Sequence, residues 1–157
     1  MEFKDIIANN NTKSGWLRQF VVYTGLIDNI EYLIYSDNKK NNISIKTLID
    51  KKIICQFKGH KNAISVMRYF IQNNKFEYLL SCDESKIVFC WDLQQRKQFF
   101  KIITNYSGYI WDALILFNIF DKNYIFIPSN DLTENTKIYE FKDNSSVIKD
   151  IFWYKRK

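Results

Sequence analysis

His60 is the only histidine in the 157 residues, and histidine is the side chain that most often moves protons in catalysis. Set beside Ser81 and Trp91 further along the chain, it raises the prospect of nucleophilic chemistry. That chemistry needs an imidazole oriented by a third group, with a hydroxyl or thiol inside its reach. The sequence offers no G-x-S-x-G turn, no second histidine and no Gly-rich phosphate loop to support it. The carboxylate pairs Asp83-Glu84 and Asp131…Glu134 fall in expected turns, where acidic side chains are commonly just solvated. Cys55, Cys82 and Cys90 form no C-x-x-C pair, so the short-spaced set of four Cys/His ligands that zinc requires is missing. The residues read as non-enzymatic, with no catalytic residue, cofactor or metal site, and His60 reads as a structural side chain.

Charge is the next candidate. Lys and Arg number 23 against 17 Asp and Glu, a net charge of +6, which would attract nucleic acid or an acidic lipid surface. The lysines are spread through every turn, however, and the one tight basic cluster is the tail Lys155-Arg156-Lys157 in "DIFWYKRK". A single short aromatic and basic cluster is not the extended groove that single-strand binders use. It reads as an outer strand, with Phe152 and Trp153 packing on a sheet, that ends in a solvated cap. The odd cysteine count suits reduced thiols in a reducing compartment. "MEFKDIIANNN" lacks the long apolar stretch of a signal peptide. The run "YIWDALILFNIF" (109–120) is too short to span a bilayer and carries Asp112. An intracellular chain, cytoplasmic or nuclear, without a membrane span is expected.

The elements that would position these residues are strands. Hydrophobic residues make up 46% and aromatics 17% of the chain, enough to build a core, and Ile, Val, Phe and Tyr favour pleated, half-buried surfaces. Glycine and proline are scarce, and Asn stands where turns should be. It can do so because it tolerates left-handed backbone.

Three segments superpose: "EYLIYSDNKKNNISIKTLIDKK" from Glu31, "EYLLSCDESKIVFCWDLQQRK" from Glu77 and "NYIFIPSNDLTENTKIYEFKDN" from Asn123. Their tyrosines, Tyr32, Tyr78 and Tyr124, recur every 46 residues. Upstream of each lies a glycine followed by a ring: Gly15-Trp16, Gly59-His60 and Gly108-Tyr109. Downstream comes a further echo, "FKDII" (3–7), "KIICQF" (52–57), "FFKII" (99–103) and "VIKDIF" (147–152). Each unit reads as a Gly-ring turn and four short strands, placed in the middle unit near 63–70, 76–82, 86–92 and 97–103. Short strands at regular spacing with polar turns indicate antiparallel all-β architecture.

A Gly-His, two strands and a closing Trp-Asp, repeated near 46 residues, resembles the WD-repeat (WD40) β-propeller family. The middle unit carries both dipeptides, Gly59-His60 and Trp91-Asp92. The third has Tyr139-Glu140 and the first Lys46-Thr47 at the Trp-Asp position. The resemblance extends over residues 3 to 154. It implies a buried hydrogen-bond chain in which His60 is the imidazole, Ser81 the hydroxyl and Trp91 the indole donor. The family's acidic member would fall at Ser85, with Asp83 two residues early, so the chain is expected to be shifted or incomplete here. The expected motif set is Gly59, His60, Ser81, Asp83, Trp91 and Asp92.

The implied architecture is a partial β-propeller of about three four-stranded antiparallel blades in one region, 1–157. Its repeats fall at about 8–57, 58–103 and 104–154, after an extra outer-type strand at 3–7. Propellers usually have about four to eight blades, so a short or fragment-like member is expected. An arc of three blades leaves two apolar end faces, at Phe20, Val22, Tyr32 and Ile34 in the first unit and at Leu114, Leu116, Tyr124 and Phe126 in the third. Self-association or completion by another chain follows. The resemblance implies a scaffold that holds other proteins. The alternative is nucleic-acid or ribonucleoprotein binding through the basic surface.

Overall fold

Period-2 alternation of β-branched and aromatic residues builds twelve strands among the described residues, and no helix. The computed structural model describes residues 19–37, 41–107, 110, 114–119, 122–128, 136–141 and 148–154. The segment 3–7, Gly15-Trp16, Gly108-Tyr109, Asp112, Asp131, Glu134 and Lys155–Lys157 lie outside them. The first sheet holds β1 (Phe20–Thr24), β2 (Glu31–Asp37), β3 (Asn42–Thr47) and β4 (Ile53–Phe57). The second holds β5 (Ile64–Gln72), β6 (Phe76–Asp83), β7 (Ile87–Asp92) and β8 (Lys97–Ile103). The third holds β9 (Leu114–Ile119), β10 (Lys122–Ile127), β11 (Thr136–Phe141) and β12 (Ile148–Tyr154). Each sheet is four-stranded, with its strands antiparallel and in chain order. No helix among the described residues is long and apolar enough to cross a membrane.

The strands of the middle sheet match the sequence expectation except that β5 runs on to Gln72. The polar loop expected there contracts to a tight turn, in which Lys75 N–H donates to the Gln72 carbonyl at 2.9 Å. Asn73 and Asn74 hold φ of 52° and 51°. Two left-handed central residues make a primed turn, whose twist suits adjoining strands and lets the ladder extend.

The register repeats between sheets. Tyr32 stands opposite Thr47, Tyr78 opposite Asp92 and Tyr124 opposite Glu140. Alternation then sends each face of the middle sheet to a different neighbour. Leu79, Phe89 and Trp91 pack with Tyr23, Tyr32, Ile34, Ile43, Ile45 and Phe57 of the first sheet. Tyr78, Leu80, Cys82, Val88 and Cys90 pack with Ile125, Ile127, Tyr139 and Phe141 of the third. The middle sheet is thus covered on both sides, and its central strands are buried at nearly every position. The first strands line up, β1 beside β5 and β5 beside β9, which gives the stack an inner edge.

The expected end face of the first sheet is corrected by this register. Phe20 pairs with Tyr35 and Val22 with Leu33, so Tyr32 and Ile34 point the other way, into the core. Phe20 and Val22 remain 47% and 41% exposed.

Lys51 offers a clean test of turn strain. Its φ is 58° and its side chain is exposed, and the left-handed region costs a residue with a Cβ about 1–2 kcal/mol. Lys51→Gly is expected to raise stability by about 1 kcal/mol, because the relief of strain outweighs the added freedom of the unfolded chain. Urea unfolding of the two proteins checks the sign.

Candidate functional site: a buried hydrogen-bond chain

The loop between β4 and β5 carries Gly59-His60 across the face of the middle sheet that meets the first. A Cβ on Gly59 would sit 3.2 Å from the Phe89 ring and 3.3 Å from Trp91, so the backbone lies against both rings where a side chain would crowd them. His60 then enters edge-on to Phe89, with centroids 4.6 Å apart. Its Nε2 lies 2.7 Å from Ser81 Oγ on β6 and its Nδ1 2.9 Å from Asp83 Oδ2 at the end of the same strand. From β7, the Trp91 indole N–H donates to Ser81 Oγ at 2.8 Å. With the ring proton on Nδ1, donated to Asp83, every group in the series is satisfied: Trp91 donates to Ser81, Ser81 to His60 and His60 to Asp83.

The acid in this chain is Asp83, and Ser85 folds back onto it. Asp83 Oδ1 accepts from Ser85 N–H at 3.0 Å, Ser85 Oγ at 2.6 Å and Ile87 N–H at 3.2 Å. One carboxylate therefore ties the imidazole to the β6–β7 turn. Burial pushes the Asp83 carboxyl up, but the hydrogen bonds from His60, Ser85 and Ile87 outweigh it and hold the group below the usual carboxylate range. Asp92 lies apart. It is on the opposite face of β7, where its Oδ1 accepts from Gln95 N–H at 2.7 Å and caps the β7–β8 turn.

Asp83, His60 and Ser81 have the connectivity of a nucleophilic triad, but not its access. Ser81 is 0% and His60 8% exposed. Trp91 covers the hydroxyl and is itself stacked between Phe57 at 4.8 Å and Phe89 at 5.0 Å. No substrate carbonyl can approach Ser81 Oγ without unpacking this aromatic stack. Ser81 is therefore expected to stay unlabelled by a fluorophosphonate in the native protein, and mass spectrometry of the treated chain checks this. Two of the three cysteines, Cys82 and Cys90, are similarly withdrawn. Burial, and then the Asp83 charge, push the Cys82 thiol up to about 12. Burial puts Cys90 well above its ordinary value.

Among the described residues, the chain is built only in the middle sheet. At the positions of Ser81 and Trp91, the first sheet has Tyr35 and Lys46, with the Lys46 ammonium 5.3 Å from the Tyr35 ring centroid. The third sheet has Ile127 and Tyr139 there. Sequence reading missed two features here. One is the Phe57–Trp91–Phe89 stack, which the alternation of β4 and β7 could have suggested. The other is a cluster of Tyr23, Tyr32, Tyr69, Asp28 and Glu77, assembled from distant segments with no local signal.

Compared by sequence, the chain matches no family model and no curated protein. Compared by structure, it is similar to the β-propeller domain of Cps50 (Swd1) from Myceliophteria thermophila. That match has a TM-score of 0.60 and 15% identity, over 91% of this chain and 39% of that one. It is also similar to a chain in a humanized mutant of the Chaetomium thermophilum Polycomb Repressive Complex 2 bound to the inhibitor GSK126. There the TM-score is 0.55 and the identity 14%, over 78% of this chain and 26% of that one. The chain thus spans less than half the length of either. Its fold is a WD40-like partial β-propeller, all-β, of three four-stranded antiparallel blades.

Proposed function

We propose that the chain is a non-catalytic protein-interaction scaffold, and that its end blades take up further protein, a second copy of the chain included. One observation carries this reading. Tyr124, Phe126 and Ile138 of the third blade occupy the register positions at which the middle blade uses Tyr78, Leu80 and Cys90 to pack on its neighbour. In the third blade they stay partly exposed. At about 25 cal/mol per Å2, covering a few hundred Å2 of such surface favours association by several kcal/mol before entropy costs. Two copies end to end would supply six blades, within the usual range for closed propellers. The buried serine and the buried thiols of Cys82 and Cys90 support a role without chemistry, and free cysteines support a place inside the cell, in cytoplasm or nucleus.

Sedimentation equilibrium at micromolar concentration tests the reading together with a pull-down from the native cell in which bound proteins and RNA are both identified. The chain is expected to dimerise or to recover a protein partner. Phe126→Asp is expected to shift the equilibrium to monomer by at least tenfold without changing the circular dichroism. A monomer that captures only RNA, with binding that falls steeply as salt rises, would replace the scaffold with nucleic-acid binding.

A further inference from the structure

A cavity of about 210 Å3 opens between the first and second blades, at the end of the sheets remote from His60. Its floor is apolar, from Ile45, Ile54 and Leu93, and its polar wall comes from Tyr23, Asp28, Tyr32, Glu77 and Arg96. Two carboxylates against one guanidinium leave the wall one negative charge in excess. Glu77 is only 4% exposed. Its Oε1 accepts from Tyr69 Oη at 2.9 Å, and among the described residues it has no ion-pair partner. A carboxylate withdrawn from water is costly unless a cation and further hydrogen bonds meet it.

Tyr23 gives a second, independent observation. It is 8% exposed and lines the cavity, and its hydroxyl has no hydrogen-bond partner among the described residues. Its ring is stacked on Tyr32 at 5.2 Å and tilted on Tyr69 at 4.7 Å. Its π-faces are therefore taken, and the free end is polar. At the rim, Asp28 Oδ2 accepts from Tyr32 Oη at 2.6 Å and Oδ1 from Ile30 N–H at 3.0 Å. A Cβ on Gly25 would lie 2.5 Å from Asp28 Oδ1, so a larger residue there would push the carboxylate out of this position.

We infer that this cavity binds a guanidinium group, presented as the arginine side chain of a partner segment. The acceptors of Glu77, Tyr23 and Asp28 are spread around the wall, which suits a planar group with five donors better than the point charge of an ammonium. The volume lies below the ~300 Å3 at which sites for drug-sized ligands begin, so it suits one side-chain head and part of its stem. The apolar floor matches that stem. The assignment to a partner segment rests on the scaffold reading, whereas the chemistry of the cavity does not.

Isothermal titration of the full chain with N-acetyl-arginine methylamide tests the site, with the citrulline and lysine analogues and free L-arginine as comparisons. Saturable binding of the arginine amide is expected, at least tenfold tighter than the citrulline analogue and tighter than the lysine analogue. Free arginine, with its added carboxylate, is expected to bind more weakly. Glu77→Gln preserves the acceptor for Tyr69 and removes the charge. It should weaken binding at least tenfold, and Tyr23→Phe several-fold. If Glu77→Gln does not fold, Asp28→Asn at the exposed rim serves in its place, with weakening again expected. Equal binding of arginine and citrulline analogues, or affinity untouched by these variants, overturns the site. Free arginine binding as tightly as the blocked form overturns the partner segment as its source. No probe binding with protein capture intact removes the cavity assignment and leaves the scaffold standing. Probe binding with no captured protein overturns the scaffold and, with it, the partner segment.

Discussion

Trp91→Ala is expected to lower the unfolding free energy by about 3–5 kcal/mol, the usual cost of truncating a large buried aromatic. Three losses combine. The indole is 2% exposed, so its removal forfeits transfer energy and leaves a cavity between two blades. Phe57 and Phe89 each lose a stacked partner at about 5 Å, and such ring pairs are worth about 0.5–1.5 kcal/mol beyond their area. Ser81 Oγ loses its donor. Trp91→Phe separates these contributions. It retains most of the stack and loses the N–H, so its cost should be about 1–2 kcal/mol. Lys58→Ala, at an exposed loop position, should stay within about 0.5 kcal/mol of the parent. With a typical domain holding about 5–15 kcal/mol in all, the alanine variant should show a large fall in urea midpoint at unchanged slope. If Trp91→Ala and Lys58→Ala melt at the same urea concentration, Trp91 does not hold the middle blade.

The fold was legible because the middle blade states it almost completely. Residues 76–82 and 86–92 are too short and too rich in aromatics and β-branched side chains for helix, and β6 and β7 lie there within a residue or two. The constant interval of Tyr32, Tyr78 and Tyr124 is also an interval of cross-strand register, so the superposition in sequence has a counterpart in pairing. Which way each strand faces was less legible. Tyr32 and Ile34 sit one residue out of phase with Phe20 and Val22 across the β1–β2 ladder, and a one-residue change in register exchanges the two faces of a strand. The acid of the buried chain was also ambiguous. Counting along the turn favours Ser85, but the end of β6 already directs Asp83 toward His60, and a shorter side chain at 85 can fold back to close the turn. The cavity at Glu77 was invisible. Its walls come from β1, the Gly25–Ile30 turn, the starts of β2 and β6 and the β7–β8 turn, and only packing brings them together.

Asp83→Ala is expected to cost a comparable 3–5 kcal/mol, for a different reason: nothing large leaves, but four donors are stranded. His60 Nδ1, Ser85 N–H, Ser85 Oγ and Ile87 N–H all end on this carboxylate, and an unsatisfied buried donor costs about 1–3 kcal/mol. The turn can recover some of that by admitting water near the exposed side of Ser85, which keeps the total below the sum. Acid should produce the same loss by degrees. Hydrogen bonds hold the native carboxyl below its ordinary value despite burial, so the native state binds fewer protons than the unfolded chain as pH falls. The stabilisation is fully present above the unfolded carboxyl pKa of about 3.9 and disappears as pH drops below it through the native value. The urea midpoint of the parent should accordingly decline below about pH 4. Asp28, also held low by its bond from Tyr32, shares in that decline. Asp83→Asn cannot lose a charge, so its acid limb should be shallower although its midpoint at pH 7 is already lower. An acid limb parallel to the parent's, or an Asp83→Ala midpoint at neutral pH equal to the parent's, would mean that the blade is held by its packing and that the His60–Asp83 contact contributes little.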